Sequence, residues 1–526
     1  MTNSSQVEDL ETEHPSSQKP RETGSLLTDK MSIIAIASAI LLTFSLRYLL
    51  LSSPSQVIDF DGTYYINFAQ QILNGDGLYH PIFSPGYPLL IALFHHIFDT
   101  GLEKAGEQIA LIFSVLCIYP LYHISKACTS KPAALFTILF YAALPLWVEY
   151  GANVQTLTLG TFLWLMAMHA CMRWQRQKST TQLIATAIFL GMASLTRPEF
   201  LVSAIIFPAW LFIQAWRENG QKTWLVWIIL PLTFAIYSPY MSAIHQATGT
   251  WKVATKSEIN QSIANVVGAK DYSAAREKAA QSSATKESQG LLNFWFSSPL
   301  QTAKRIIANT YILHQYMWPK QFPVVLTLLI GIGIFIGIGK TRMGILLVAT
   351  LIYLPAMTFL PDARILLPWA TLFLPWAGYA ATVIVKQFGK PAWPFLVAVM
   401  GLLILTATQP TRHDHPAIAI KSAALWLASH HHNEIVWARG PRVAYYSHAT
   451  VKQPPASSTL SEFRKHVQGP GWLMIDNHKF PPGRQQLYAQ LMGTTPGWLQ
   501  LEQSFSGPDG HLVSLFRVLP ETRRPE

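Results

Sequence analysis

The apolar residues of this chain fall into blocks of about 16–22 residues, each long enough for a helix to cross roughly 30 Å of hydrocarbon. That pattern removes most of the folds open to a chain of 526 residues. A single soluble core rarely grows past about 250–300 residues, and soluble chains carry about 25% charged residues. Here only 13% are charged and 50% are hydrophobic. The pattern predicts a polytopic α-helical membrane protein with about 11 transmembrane helices. The blocks cover residues 31–52, 107–126, 132–148, 152–172, 181–196, 199–216, 223–244, 322–339, 343–360, 364–385 and 391–408. Tyr87–Phe98 is apolar but too short to span, and reads as a helix lying in the interface.

Basic residues set the orientation. With the N-terminus in the cytoplasm, the inner loops hold Lys126 and Lys131; Arg173, Arg176 and Lys178; Arg217 and Lys222; Lys340 and Arg342; and Lys386 and Lys390. Those loops contain almost no acid beyond Glu218, whereas the short outer loops hold Glu149, the Arg197/Glu199 pair and the Asp362/Arg364 pair. This is the positive-inside bias. It gives the net charge of +11 a membrane origin and excludes nucleic acid as its partner. The cysteines Cys117, Cys128 and Cys171 lie in or beside apolar blocks, so neither a disulfide framework nor a paired-cysteine metal site is expected.

The chain then divides into a polar cytoplasmic tail (1–30), a membrane body (31–408) and an extracytoplasmic segment (409–526). The tail has the composition of a disordered segment. The body carries two long outer loops, 53–106 and 245–321. The first half of the second loop, Lys256–Gly290, is helix-prone, and Leu291–Pro319 is rich in interfacial aromatics. In 409–526, helices near Ala417–Ser429 and Leu460–His466 alternate with strand-like Glu434–Ala438, Trp472–Ile475 and His511–Val518. That alternation predicts a small α/β domain. The run His430-His431-His432 reads as a solvated helix end.

The first outer loop holds the densest chemistry. Asp59 and Asp61 sit at the mouth of the first span, where a carboxylate is costly unless it is used or paired. Tyr65, Phe68, Ala69 and Ile72 follow at helical spacing, so Asp61 lies near the start of a short amphipathic helix. An aspartate there serves either as a helix cap or as a general base.

Asp61 followed by Tyr64-Tyr65, Ala69, the Gly75-x-Gly77 turn and Ser84-Pro-Gly-Tyr-Pro-Leu-Leu-Ile-Ala-Leu93 resembles the first loop of the GT-C membrane glycosyltransferases. More narrowly it is similar to glycosyltransferase family 39, with the protein O-mannosyltransferases, and to the related aminoarabinose transferases that modify lipid A. Leu195-Thr-Arg-Pro-Glu-Phe200, Asp362-Ala-Arg-Ile-Leu-Leu-Pro368, Trp426-Leu-Ala and Arg442-Val-Ala-Tyr-Tyr446 continue the likeness in order. The chain departs from the family at Gly62, where an acidic residue often stands, and has Tyr64 and Ser84 where lipid A-type relatives carry basic residues.

The resemblance implies an enzyme: a hexosyl- or pentosyltransferase, inverting at the sugar, moving it from a polyprenyl-phosphate-linked donor to a lipid, protein or glycan acceptor outside the bilayer. Asp61, with Asp59 beside it, is the expected catalytic carboxylate. Arg364, opening the tenth span, and Arg197, between the fifth and sixth, are the expected donor-phosphate ligands. Each also has a local acid, Asp362 or Glu199, with which to pair. Glu149, Tyr65 and His80 are candidate contacts for the acceptor or for a divalent metal, and Gln155 competes with Glu149 for the role of the second polar group in its turn. No cofactor is otherwise implied. Two other classes fit a polytopic chain: a transporter or flippase, and a polysaccharide polymerase or ligase. The concentration of ionisable residues at one face, away from the midplane, weighs against transport.

Overall fold

The computed structural model describes residues 23–53, 56–217, 223–255, 298–312, 314–315, 318–337, 363–408, 415–430, 434–454, 459–467, 469–477, 485–507 and 510–519. Most of the tail, Lys256–Gly290, the span expected at 343–360, Asp362, His431 and His432 lie outside the described residues.

Helices in chain order are α1 (Thr23–Leu51), α2 (Phe60–Leu73), α3 (Gly86–Phe98), α4 (Leu102–Leu116), α5 (Ile118–Cys128), α6 (Lys131–Ala142), α7 (Pro145–Tyr150), α8 (Leu157–Gln177), α9 (Thr180–Thr196), α10 (Ser203–Arg217) and α11 (Ile229–Thr248). They continue as α12 (Pro299–Ile312), α13 (Trp318–Gln321), α14 (Val324–Gly337), α15 (Ala363–Thr371), α16 (Leu374–Phe388) and α17 (Ala392–Thr408).

Each expected span whose residues are described is helical over most of its length, but the helices are less uniform than the blocks. Among the described residues five are long and apolar enough to cross a bilayer: Lys30–Leu51, Leu102–Cys128, Pro198–Arg217, Trp224–Thr248 and Leu366–Phe388. Lys131–Ala142, Thr180–Thr196, Val324–Gly337 and Ala392–Thr408 are apolar but shorter, as is the expected interfacial helix Gly86–Phe98. The block at 132–148 breaks after Ala142 because Pro145 starts a separate turn, α7. The block at 152–172 begins with the non-helical stretch 151–156 before α8. That stretch becomes part of the site.

The lipid-facing side chains show which helices lie outermost. Ile33, Ile34, Leu41, Phe44 and Tyr48 of α1 are all exposed apolar groups, as a helix against hydrocarbon requires. The interior is tied by indole donors: Trp164 Nε1 donates to Ser203 Oγ at 3.1 Å, and Trp147 Nε1 of α7 donates to Thr371 Oγ1 of α15 at 2.9 Å. The second of these fixes the helix that carries Arg364 against the turn that carries Glu149.

The C-terminal part alternates helix and strand, as its sequence predicts: α18 (His415–His430), β1 (Ile435–Trp437), α19 (Pro441–Ser447), β2 (Thr450–Lys452), α20 (Leu460–His466), β3 (Gly471–Asp476), α21 (Gln485–Gly493), β4 (Leu499–Ser506) and β5 (Leu512–Val518). The sheet order is β2-β1-β3-β5-β4. β1 is parallel to β2 and β3, while β5 runs antiparallel to β3 and β4. The central strand β3 is buried along nearly its whole length, which accounts for its unbroken Gly-Trp-Leu-Met-Ile run.

Candidate functional site

At α2 the two aspartates divide their duties. Asp59 is the helix cap: its Oδ2 accepts from the backbone N–H of Asp61 at 3.1 Å. The same oxygen accepts from Gln155 Nε2, and the Arg442 guanidinium lies 3.9 Å from Oδ1. Asp59, expected in the chemistry, is therefore already held by a helix terminus, an amide and a cation. Capping by Asp59 leaves Asp61 in the first turn with its carboxylate pointing elsewhere.

It meets Arg364. Arg364 Nη1 donates to Asp61 Oδ2 at 2.8 Å across 303 residues of sequence, with the Asp61 side chain 14% and the Arg364 side chain 35% exposed. The local partner considered for Arg364, Asp362, lies outside the described residues. Arg197 does take its neighbour: Nε and Nη2 both donate to Glu199 Oε1 at 2.6 Å. Even so, Arg197 stays close to the cluster. Tyr65 is buried, its hydroxyl bonded to Thr156, within the fields of Asp61, Arg197 and Arg364. Burial, reinforced by the Asp61 charge, raises the Tyr65 hydroxyl far above its ordinary range, so it is a neutral donor.

Gly62, the point of departure from the family pattern, is explained by packing. A Cβ there would lie 2.8 Å from Ile58 Cγ1 and 3.0 Å from the Val154 carbonyl oxygen. The first turn of α2 rests directly on the 151–156 stretch, and no acidic side chain fits. In return that stretch supplies Gln155, which is 3% exposed. Glu149, the competing candidate, is in the last turn of α7, where its backbone carbonyl accepts from Asn153 Nδ2 at 3.1 Å.

His80 is spent on structure. Its Nδ1 accepts from the backbone N–H groups of Ile82 and Phe83, both at 3.1 Å, and its ring packs against Phe68 and Phe83. Burial pushes its pKa down to about 4, so the imidazole is neutral. Among the described residues no three His, Cys, Asp or Glu side chains gather to hold a metal ion. Asp59 and Asp61 each face a guanidinium, that of Arg442 at 3.9 Å and that of Arg364 at 2.8 Å.

The C-terminal part reaches into the site. Arg442 Nε donates to the Ile58 carbonyl at 2.8 Å, and the Ile58 N–H donates to the Tyr446 hydroxyl at 2.9 Å. Tyr445 donates to Glu103 at 2.8 Å, and Lys421 Nζ donates to the Gln56 carbonyl at 2.7 Å. The contacts of Lys421, Arg442 and Tyr446 hold residues 56–59, and that of Tyr445 ties the C-terminal part to α4. Tyr445 and Tyr446, whose aromatic character suits sugar stacking, are instead hydroxyl partners of the first loop. Trp472 is fully buried in the core.

Gln155 was visible in the sequence only as the competitor of Glu149 in an outer turn, and Arg442 and Arg47 carried no assigned role there. Arg442 stands in a recognised motif whose function the motif does not state. Arg47 sits inside the first apolar span, fully buried. Its guanidinium donates to Ser114 Oγ (2.5 Å) and to the carbonyls of Thr43 (3.1 Å) and Ala142 (2.9 Å), and lies over the Tyr141 ring. The Ala142 carbonyl ends α6, so the cation meets the negative end of a helix dipole.

Comparison with known proteins agrees with this architecture. Residues 79–244 match the family model described as dolichyl-phosphate-mannose-protein mannosyltransferase. No curated protein sequence matches the chain. Among solved structures, the chain is similar to the oligosaccharyltransferase of Archaeoglobus fulgidus tethered to an acceptor peptide containing the NVT sequon. That match has a TM-score of 0.54 and 12% identity, covering 93% of this chain and 76% of the other. The complex of the archaeal oligosaccharyltransferase AglB, from the same organism, with an inhibitory peptide and a dolichol-phosphate matches with a TM-score of 0.52 and 12% identity, covering 95% and 75%. ArnT from Cupriavidus metallidurans bound to undecaprenyl phosphate aligns more loosely (TM-score 0.47, 11% identity, covering 96% and 100%). The resemblance read from the sequence is borne out: residues 79–244 carry the family 39-type domain, and the chain shares its fold with the archaeal oligosaccharyltransferase.

Proposed function

We propose that the chain transfers a sugar from a polyprenyl-phosphate-linked donor to an acceptor hydroxyl on the outer face of the membrane. The observation that carries this reading is the Asp61–Arg364 contact at 2.8 Å. It joins a group able to take a proton to a group able to hold a phosphate, at the same end of the helical body. The dolichol-phosphate bound by a chain of the same fold supports a lipid-phosphate donor.

In this mechanism Asp61 removes the acceptor proton as the acceptor oxygen attacks the anomeric carbon. The bond from that carbon to the phosphate oxygen breaks on the opposite face, inverting the centre, and the electron pair leaves with the polyprenyl phosphate. Arg364 holds the departing charge. A guanidinium has five donors in a planar fork, a geometry that lets it meet a carboxylate and a phosphate oxygen together. Tyr65 adds a neutral O–H donor close by. Arg197, bound to Glu199, shapes the field there without binding the donor directly. Asp59, Gln155 and Arg442 are positioning residues that fix the first turn of α2, and with it the direction of Asp61.

The test is lipid profiling of cells lacking the protein, cells with the wild type, and cells with Asp61→Asn or Arg364→Gln. Both variants and the null are expected to accumulate one polyprenyl-phosphate sugar and to lack one surface modification. Absence of any accumulated lipid-linked sugar in all three strains would overturn the proposal.

A further inference from the structure

A cavity lies at the end of the bundle away from Asp61. It measures about 310 Å³ and opens between α5 and α8. His123 and Lys126 line it from α5, and His169, Met172, Arg173 and Arg176 from α8. At about 1.5 Å per residue, the run from Leu157 to Arg176 covers about 28 Å. The cavity is therefore nearly a hydrocarbon thickness from Gln155 and shares nothing with the proposed chemistry.

Its charge is one-sided. Lys126, Arg173 and Arg176 are exposed cations, no Asp or Glu lines the cavity, and none of the three forms an ion pair among the described residues. The rings of Tyr119, His123 and His169 pack together as one wall, with centroids 4.6, 5.7 and 5.0 Å apart. The positive-inside bias accounts for basic residues at this end. It does not account for what adjoins them. Ile112, Leu116 and Tyr119 are 42%, 41% and 48% exposed, and their spacing puts them on one stripe that leads straight into His123 and Lys126. An apolar stripe at acyl-chain depth therefore ends in a cationic recess at headgroup depth.

We propose that the cleft between α5 and α8 binds an anionic phospholipid of the leaflet opposite the Asp61–Arg364 cluster. Its phosphate lies among Lys126, Arg173 and Arg176, and an acyl chain lies along Tyr119, Leu116 and Ile112. Charge complementarity selects the headgroup, and the stripe selects a lipid over a soluble anion.

Native mass spectrometry of the full-length protein, loaded from micelles containing equal dioleoylphosphatidylglycerol and dioleoylphosphatidylcholine, tests this. Wild type is expected to retain phosphatidylglycerol preferentially. Each basic group near an anionic headgroup is worth about fivefold, so Lys126→Gln/Arg173→Gln/Arg176→Gln is expected to lower that preference by about a hundredfold. Arg173→Gln and Arg176→Gln alone, both at exposed positions, each lower it about fivefold and serve if the triple variant does not fold. Lys386→Gln/Lys390→Gln, which removes two cations from a different loop, leaves the preference intact. Equal retention of the two lipids by wild type, or an undiminished preference in the α5/α8 variants, overturns the proposal. So does full displacement of phosphatidylglycerol by millimolar inorganic phosphate or glycerol phosphate, which would make the cleft a soluble-anion site.

Discussion

Replacing Asp61 by asparagine keeps the size of the side chain and removes both its charge and its capacity to take a proton. The structure separates the effect on stability from the effect on rate. The Asp61–Arg364 contact is 2.8 Å long but partly open to solvent on both sides, and such pairs contribute about 1 kcal/mol or less. The variant is therefore expected to unfold within a few degrees of wild type. Loss of a positioned general base lowers rates by about 10²–10⁴-fold, or about 3–5.5 kcal/mol in the barrier. Donor affinity moves the other way: without the carboxylate, less of the Arg364 charge is neutralised, so binding of the lipid phosphate holds or tightens. The assay is transfer from a purified polyprenyl-phosphate sugar, run beside equilibrium binding of the polyprenyl phosphate and thermal unfolding. A rate within tenfold of wild type would refute the base role. Donor binding weakened tenfold in a stably folded variant would refute the division of labour between Asp61 and Arg364.

Tyr446→Phe deletes the hydroxyl that accepts the buried Ile58 N–H; an unpaired buried donor costs about 1–3 kcal/mol, to be read as lower thermal stability and faster proteolysis in residues 56–59. Gly62→Ala places a methyl 2.8 Å from Ile58 Cγ1 and 3.0 Å from the Val154 carbonyl; overpacking of this kind costs about 1–3 kcal/mol, and transfer is expected to fall with stability because α2 shifts away from Gln155. For His80, with its folded pKa pushed down to about 4 against about 6.5 unfolded, the unfolded chain takes up a proton that the folded chain refuses. Stability is therefore full above about pH 6.5, declines as pH falls toward 4, and levels off below. His80→Asn, whose Oδ1 can replace Nδ1 as the acceptor for Ile82 and Phe83, is expected to flatten that slope in thermal melts across pH 4–7.

The membrane body was legible in the sequence because apolar length and the bias of basic residues are properties of contiguous segments, read without knowing what packs where. The helix after Asp61, the short apolar helix at Gly86–Phe98 and the alternating C-terminal part were legible for the same reason: periodicity and capping are local. The sequence also contained Pro145 and Pro375, yet the breaks they help make, which turn uniform blocks into shorter helices, depend on neighbours that accept the freed backbone. What only the tertiary structure decided is the pairing of groups. Asp59 and Asp61 are two residues apart and chemically alike; one turn of helix sends the first to its own backbone, Gln155 and Arg442, and the second to Arg364. Gly62 could be seen as a departure but not explained, since the Val154 carbonyl that forbids a side chain lies some ninety residues on. Arg47 was hidden within an apolar block because the Ser114 hydroxyl and the Ala142 carbonyl that accept from it belong to helices elsewhere in the chain. A sequence records which residues can carry charge, and packing across hundreds of residues determines which of those charges meet.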